Sequence, residues 1–396
     1  MATSTARRLT LPLKRAAGTI FFKWNWVERV RFKRIANSLQ GGAYKPRKLV
    51  MAGSGLGVSY ALFGFSFGKK EEESEKDILT ETYRDARLAH ARKDLKKADD
   101  LYHEALKIAD EQVAAKKITY DKFITSRTLM YDGLADIAMQ TGQIETAERL
   151  YKETMKGCLQ QGMEQDANAM VELALKLASI YAIQGRKEEA EEGYKFCLQA
   201  TQPKMADREK QWRAGKGGSL VQKKKINVRG QEEVPDVSEQ EEAEKNTAAL
   251  LGMTLGSYGR FLLYEKRYKE ALPLFEKARL YAENTLGTES NQYIVVLNDL
   301  ATLYIVTKNL AEAEKLLKDG IKISDSAKLG EGASLYCNLG AVYLRKGQTM
   351  EAMSACKTGL ELAQMFDHKT AYKMAEACLH KGVSILSGTS HTQQKS

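Results

Sequence analysis

The chain has 396 residues, 28% of them charged, with a formal charge of +10, five cysteines and five prolines. That length exceeds one ordinary domain, and a positive balance spread along the chain would suggest a nucleic-acid partner. The charge is concentrated instead: residues 1–48 hold 12 Lys or Arg against the single acid Glu28, a local +11, so the remainder is near neutral and no nucleic-acid partner is expected.

Residues 1–48 are basic and rich in Ser, Thr and Ala, with Leu11, Leu13, Ile20, Phe21, Phe22, Trp24 and Trp26 interleaved. This composition fits a mitochondrial targeting segment; the alternative is a basic tail for anionic surfaces. Residues 49–68 follow as 20 residues without a formal charge, among them Gly53, Gly55, Gly57, Gly64 and Gly68. At about 1.5 Å per residue they would cover about 30 Å, the thickness of a bilayer core. A single transmembrane helix is therefore expected, with a glycine-rich linker as the alternative. The basic excess ahead of it would place the repeats on the far side of the mitochondrial inner membrane, facing the intermembrane space.

From residue 77 the text becomes periodic. Leu173, Leu177, Ala178 and Tyr181 fall at helical spacing, Gly185 interrupts, and Ala190, Tyr194 and Cys197 resume on a second stripe. Two antiparallel helices with small residues at their crossing make a tetratricopeptide unit. Further copies carry Ala98 and Tyr102, Ala147 and Tyr151, Ala271 and Phe275, Ala313 and Leu317, and Ala352 and Cys356. The landmark alanines are spaced 39 to 49 residues apart except for one interval of 81 between Ala190 and Ala271. The usual repeat is about 34 residues, so these helices or their connections are long. The expected fold class is all-α, a right-handed tetratricopeptide-repeat superhelical solenoid of about six helical pairs. Its N-terminal repeats occupy residues 77–200, and its C-terminal repeats and cap residues 248–386. Between them residues 201–247 lose the stripe and alternate basic and acidic runs, which predicts a charged flexible insertion. Residues 387–396 lack an apolar pattern and are expected to fray.

Motifs for chemistry are scarce. Cys158, Cys197, Cys337, Cys356 and Cys378 form no CxxC pair, and Cys197 and Cys356 fall at repeat positions that suit buried free thiols. No HExxH, phosphate-binding loop or dinucleotide fingerprint is present. Neither a cofactor nor an enzymatic activity is expected. What a repeat stack offers is a groove lined by the first helix of each pair. Lys176, Asn298, Asp299 and Asn338 lie just ahead of, or among, the landmark residues and are the candidate protein-binding positions, the amides being able to donate to and accept from a peptide backbone.

Beyond the generic repeat, residues 166–199, DANAMVELALKLASIYAIQGRKEEAEEGYKFCLQ, and the ordered repeats of residues 250–304 resemble the tetratricopeptide repeat protein 19 family. The resemblance covers roughly residues 77–364. It implies a mitochondrial inner-membrane protein concerned with assembly and maintenance of respiratory complex III, the cytochrome bc1 complex. It further implies binding near the Rieske iron-sulfur subunit and clearance of that subunit's N-terminal fragments, without a protease site of its own. The insert from about residue 204 to 245 departs from that family. A general peptide-binding scaffold or cargo adaptor is the alternative reading, since a peptide groove would serve in any compartment.

Overall fold

The computed structural model describes residues 77–221, 225–226, 232–233 and 238–393. The chain divides into Met1–Leu49 and Val50–Ser396, and the described residues lie in the second unit. They form thirteen helices and one short ladder. The helices pair as α1 (Ile78–Ala91) with α2 (Leu95–Ala114), α3 (Tyr120–Gln140) with α4 (Ile144–Gln160), and α5 (Asn168–Ile183) with α6 (Lys187–Arg213). After the ladder come α7 (Glu239–Tyr264) with α8 (Tyr268–Thr285), α9 (Asn291–Val306) with α10 (Leu310–Ala327), and α11 (Gly332–Arg345) with α12 (Thr349–Met365). Helix α13 (Lys369–Gln393) closes the series, so the described chain is six pairs and a final helix.

Several helices begin where the sequence supplies an acceptor for their free N–H groups. Asp77 accepts from the Leu79 amide, Ser290 accepts from the Tyr293 amide, and Ser238 with Glu241 forms a reciprocal capping box. Turns within pairs need a residue in the left-handed region; Gly185 supplies it at φ 72°, while Lys93, Lys266 and Lys308 adopt the same conformation at φ 61° to 65°.

Small residues at the crossings let the paired helices approach. The landmark alanines Ala98, Ala147, Ala190, Ala271, Ala313 and Ala352 are all 0% exposed. A Cβ added at Gly193 would lie 2.8 Å from that of Ala178, so even alanine is too large there. The tyrosines at the next turn, Tyr102, Tyr151 and Tyr194, fill the remaining space and are buried. Each pair packs on itself, and α1 also meets α3, α5 meets α7, α7 meets α9, α9 meets α11 and α11 meets α13. The odd-numbered helices therefore form one layer, which is how a solenoid builds a shared face from neighbour contacts.

Two expectations about element bounds change. The interval between Ala190 and Ala271 holds a single first helix, α7, but the irregular part is narrower than residues 201–247, because α6 runs on to Arg213 and α7 starts at Glu239. Packing holds the α6 extension in spite of Pro203 and its missing N–H. Met205 and Trp212 are buried, the Trp212 ring meets Tyr281 edge-on at 5.4 Å, and Arg208 clasps Glu244 at 2.7 and 2.8 Å. Between the helices, Lys225–Ile226 (β1) pairs antiparallel with Glu232–Glu233 (β2). At the other end, α13 continues to Gln393 through most of the stretch expected to fray.

The membrane expectation is corrected as well. Among the described residues no helix is long and apolar enough to cross a membrane, and residues 49–68 lie outside them, as do residues 1–48. The most apolar helices are α5, whose only charged residues are Glu172 and Lys176, and α9, which has only Asp299. Each has 16 residues against the roughly 20 a span requires. Their apolar character comes from burial on several sides within the stack. Placement of the repeats on one face of an inner membrane, and that membrane as a partner, lose their structural basis.

Candidate functional site

The four positions singled out in the sequence all lie in the layer of odd-numbered helices, where they tie one first helix to another. Lys176 projects from α5 toward α3, with its ammonium 3.3 Å from Asp132, 3.0 Å from Asp136 and 3.2 Å from Glu172. It also lies 5.1 Å from the centre of the Tyr151 ring, whose hydroxyl donates to Asp136. Lys176 is 3% exposed, so it is a buried cation and not the groove-facing donor expected. Burial works against its charge, but Asp132, Asp136, Tyr151 and Glu172 hold the ammonium well above the usual lysine range. Burial likewise raises the Asp132 carboxyl above the carboxylate range against the pull of Lys176, and Asp136 and Glu172 add to the rise.

Farther along, Arg260 of α7 donates to Asp299 of α9 at 2.8 Å and to Ser257 at 3.0 Å. Burial raises the Asp299 carboxyl, and the Arg260 guanidinium opposes that rise. Asn338 of α11 donates at 2.8 Å to the Asn298 side-chain oxygen and at 3.1 Å to the Thr302 hydroxyl, both on α9. Asn338 is buried and Asn298 half-buried. Between α5 and α7, Asn168 donates to Thr247 at 2.9 Å. Their common effect is to fix the register of one repeat on the next with hydrogen-bonded polar groups, which a groove layer must bury somewhere.

The layer changes character at its C-terminal end. Between α11 and α13 lies a groove of about 430 Å³ with Ala341, Leu344, Met374 and Ala377 among its lining and Arg345 and Lys381 at its charged positions. Sequence reading missed these two cations, along with Asp132, Asp136 and Arg260. Their signal was available only as helical offsets: Ala341 and Arg345 are four apart, as are Ala377 and Lys381, so each cation follows a small lining residue by one turn.

The cysteines need one correction. Cys356 of α12 and Cys378 of α13 form a disulfide with Cα atoms 6.3 Å apart, so Cys356 is not the free thiol expected. Their 22-residue separation carries no motif; the antiparallel packing of two long helices brings them together. Cys158, Cys197 and Cys337 are free and buried, and burial raises the thiols of Cys158 and Cys337 to about 12. Such thiols are poor nucleophiles at neutral pH. Near the last junction, Glu331 accepts from or pairs with His368 at 3.2 Å and raises its pKa against burial. Among the described residues no group of three or more His, Cys, Asp or Glu side chains is set to hold a metal ion.

Paired antiparallel helices with buried small residues at each crossing, stacked through a layer of first helices, define a tetratricopeptide-repeat protein. Tetratricopeptide-repeat profiles match residues 250–326 and 333–366. A solved Rap protein in complex with competence and sporulation factor has the same kind of fold, with a TM-score of 0.50 at 12% identity over 81% of this chain and 78% of that one. The similarity extends further to "Tetratricopeptide repeat protein 19, mitochondrial" of Homo sapiens, 31% identical over 294 residues, covering 74% of this chain and 69% of that protein. The homolog of Drosophila melanogaster is 25% identical over 332 residues, covering 84% and 79%. The chain belongs to the tetratricopeptide repeat protein 19 family.

Proposed function

We propose that this chain is a mitochondrial, noncatalytic protein-binding factor that serves the assembly and maintenance of respiratory complex III. The observation that carries the reading is family membership across 294 residues of repeat, with relatives whose name places them in mitochondria. The repeat architecture supports the noncatalytic part: its first helices share one layer, and the candidate residues within it are spent on joining repeats. In the finer form of the proposal, the factor binds near the Rieske iron-sulfur subunit and promotes clearance of that subunit's N-terminal fragments, with cleavage performed elsewhere.

Affinity purification of the full chain from detergent-solubilised mitochondria tests this. Complex III subunits are expected to co-purify, and loss of the protein should leave Rieske fragments on the complex. Recovery without any complex III subunit would reject the function. Recovery of complex III with unchanged Rieske fragments would reject only the finer form.

A further inference from the structure

The groove between α11 and α13 differs from the ionic junctions α3–α5 and α7–α9. Its floor is formed by small and apolar side chains, Ala341, Leu344, Met374 and Ala377. Arg345 stands over the end of α11, where its guanidinium donates to the Ala341 carbonyl at 3.1 Å, and Lys381 faces the same groove from α13. Both are exposed, and among the described residues neither makes an ion pair with a carboxylate. Among the described residues no acidic side chain lines the groove. Cys337, the disulfide-bonded Cys378 and Asn338 complete the lining; the Asn338 amide N–H groups are committed to Asn298 and Thr302, while its carbonyl Oδ1 accepts no hydrogen bond among the described residues.

We infer that this groove is a docking site for an extended acidic segment of a partner protein, in which an apolar side chain lies on the alanine and methionine floor between carboxylates that pair with Arg345 and Lys381. Asn338 Oδ1 is placed to accept a backbone N–H of that segment. The charge pattern selects the class of partner. Two cations without internal partners repel a basic segment and attract an acidic one, and the apolar floor between them favours a peptide over a small free anion. At two earlier rungs the cations are already matched: Lys176 and Arg260 have carboxylates beside them. The inference rests on the protein-binding reading above and specifies the chemistry of what is bound.

The test uses the purified full chain and a capped, fluorescein-labelled peptide Gly-Glu-Leu-Glu-Gly-Glu-Leu-Glu-Gly, with versions carrying Gln or Lys in place of Glu. Fluorescence anisotropy should show the acidic peptide binding about tenfold more tightly than the Gln version, with that preference fading in high salt as the charges are screened. The double variant Arg345→Glu/Lys381→Glu should bind the acidic peptide about tenfold more weakly and now prefer the Lys version. Lys357→Glu, an exposed change on α12, should leave binding within about twofold. Circular dichroism checks that helicity is kept. Equal binding of the acidic and Gln peptides, or an unchanged preference in the double variant, overturns the site. The assay contains no complex III, so its failure leaves the proposed function standing, and failure to recover complex III leaves the groove result intact.

Discussion

Between α3 and α5 the junction is ionic, with Lys176 enclosed by Asp132, Asp136 and Glu172, whereas between α9 and α11 it is neutral, with Asn338 bonded to Asn298 and Thr302. Both occupy the same layer and join consecutive first helices, yet they answer the cost of burying polar groups in different ways. An ionic junction must be matched on the spot, because a buried charge left alone is far more unfavourable than a buried amide. The charges of the N-terminal junction are therefore consumed within the protein. At the C-terminal end the amides close the register by themselves, and the cations of the next groove, Arg345 and Lys381, remain available to a partner. At this end Asn338 serves register through its N–H groups while its Oδ1 faces the groove that carries the free cations.

The comparison breaks most readily at Lys176. Lys176→Met leaves three carboxylates facing one another without their cation, and urea unfolding should show a loss of about 3–5 kcal/mol. Adding Asp132→Asn should restore part of it; no recovery would mean that packing of the lysine stem, and not charge, sets the loss.

The disulfide comes next, because it reinforces the C-terminal half alone. Closing a loop with a 22-residue separation stabilises by about 3 kcal/mol through the unfolded chain. Cys356→Ala/Cys378→Ala should lower amide-exchange protection in α12 and α13 while leaving α3 to α5 unchanged. Equal loss in both regions would show that the stack unfolds as one unit.

A smaller effect depends on pH. Although burial opposes it, hydrogen bonds from Lys152, Gln184 and Arg186 hold the Glu148 carboxyl down at about 2, below its ordinary 4.5. A depressed pKa means that this stabilisation is complete above the unfolded value and is lost as pH falls from about 4.5 toward 2. Glu148→Gln should lower stability by about 2 kcal/mol at neutral pH and flatten the wild-type loss across that acid range. An unchanged acid slope would reject Glu148 as its source. The smallest change is Asn338→Ala, which removes two neutral hydrogen bonds and should lower stability by about 1 kcal/mol with little dependence on pH. A loss as large as that of Lys176→Met would erase the distinction between the two junctions.

Much of the repeat was legible in the sequence because helix pairing is written locally. Ala178 and Tyr181 on α5, and Ala190 and Tyr194 on α6, sit at offsets of three and four residues, and a helix turns those offsets into one face wherever it lies. All six landmark alanines are accordingly buried. The basic leader and the charge-free stretch after it were legible only as composition. The inference of a membrane span from the latter finds no support among the described helices.

What the tertiary structure decided are contacts between repeats. Lys176 meets Asp132 across 44 residues, Arg260 meets Asp299 across 39 and Asn338 meets Asn298 across 40. No helical period links such positions; they meet only when one pair is set on the next in a particular register. That is why Lys176 read as a groove donor and proved to be a buried counter-ion, and why residues 201–213 read as insertion and proved to be helix. The apolar contacts that order that segment, Met205 and Trp212 among them, depend on packing, with Tyr281 lying 69 residues beyond Trp212. Sequence determined which residues each helix turns toward its partner, because backbone geometry repeats every few residues. Only the stacked structure decided which polar groups meet across helices and which are left for another protein, because burial and pairing belong to the assembled layer.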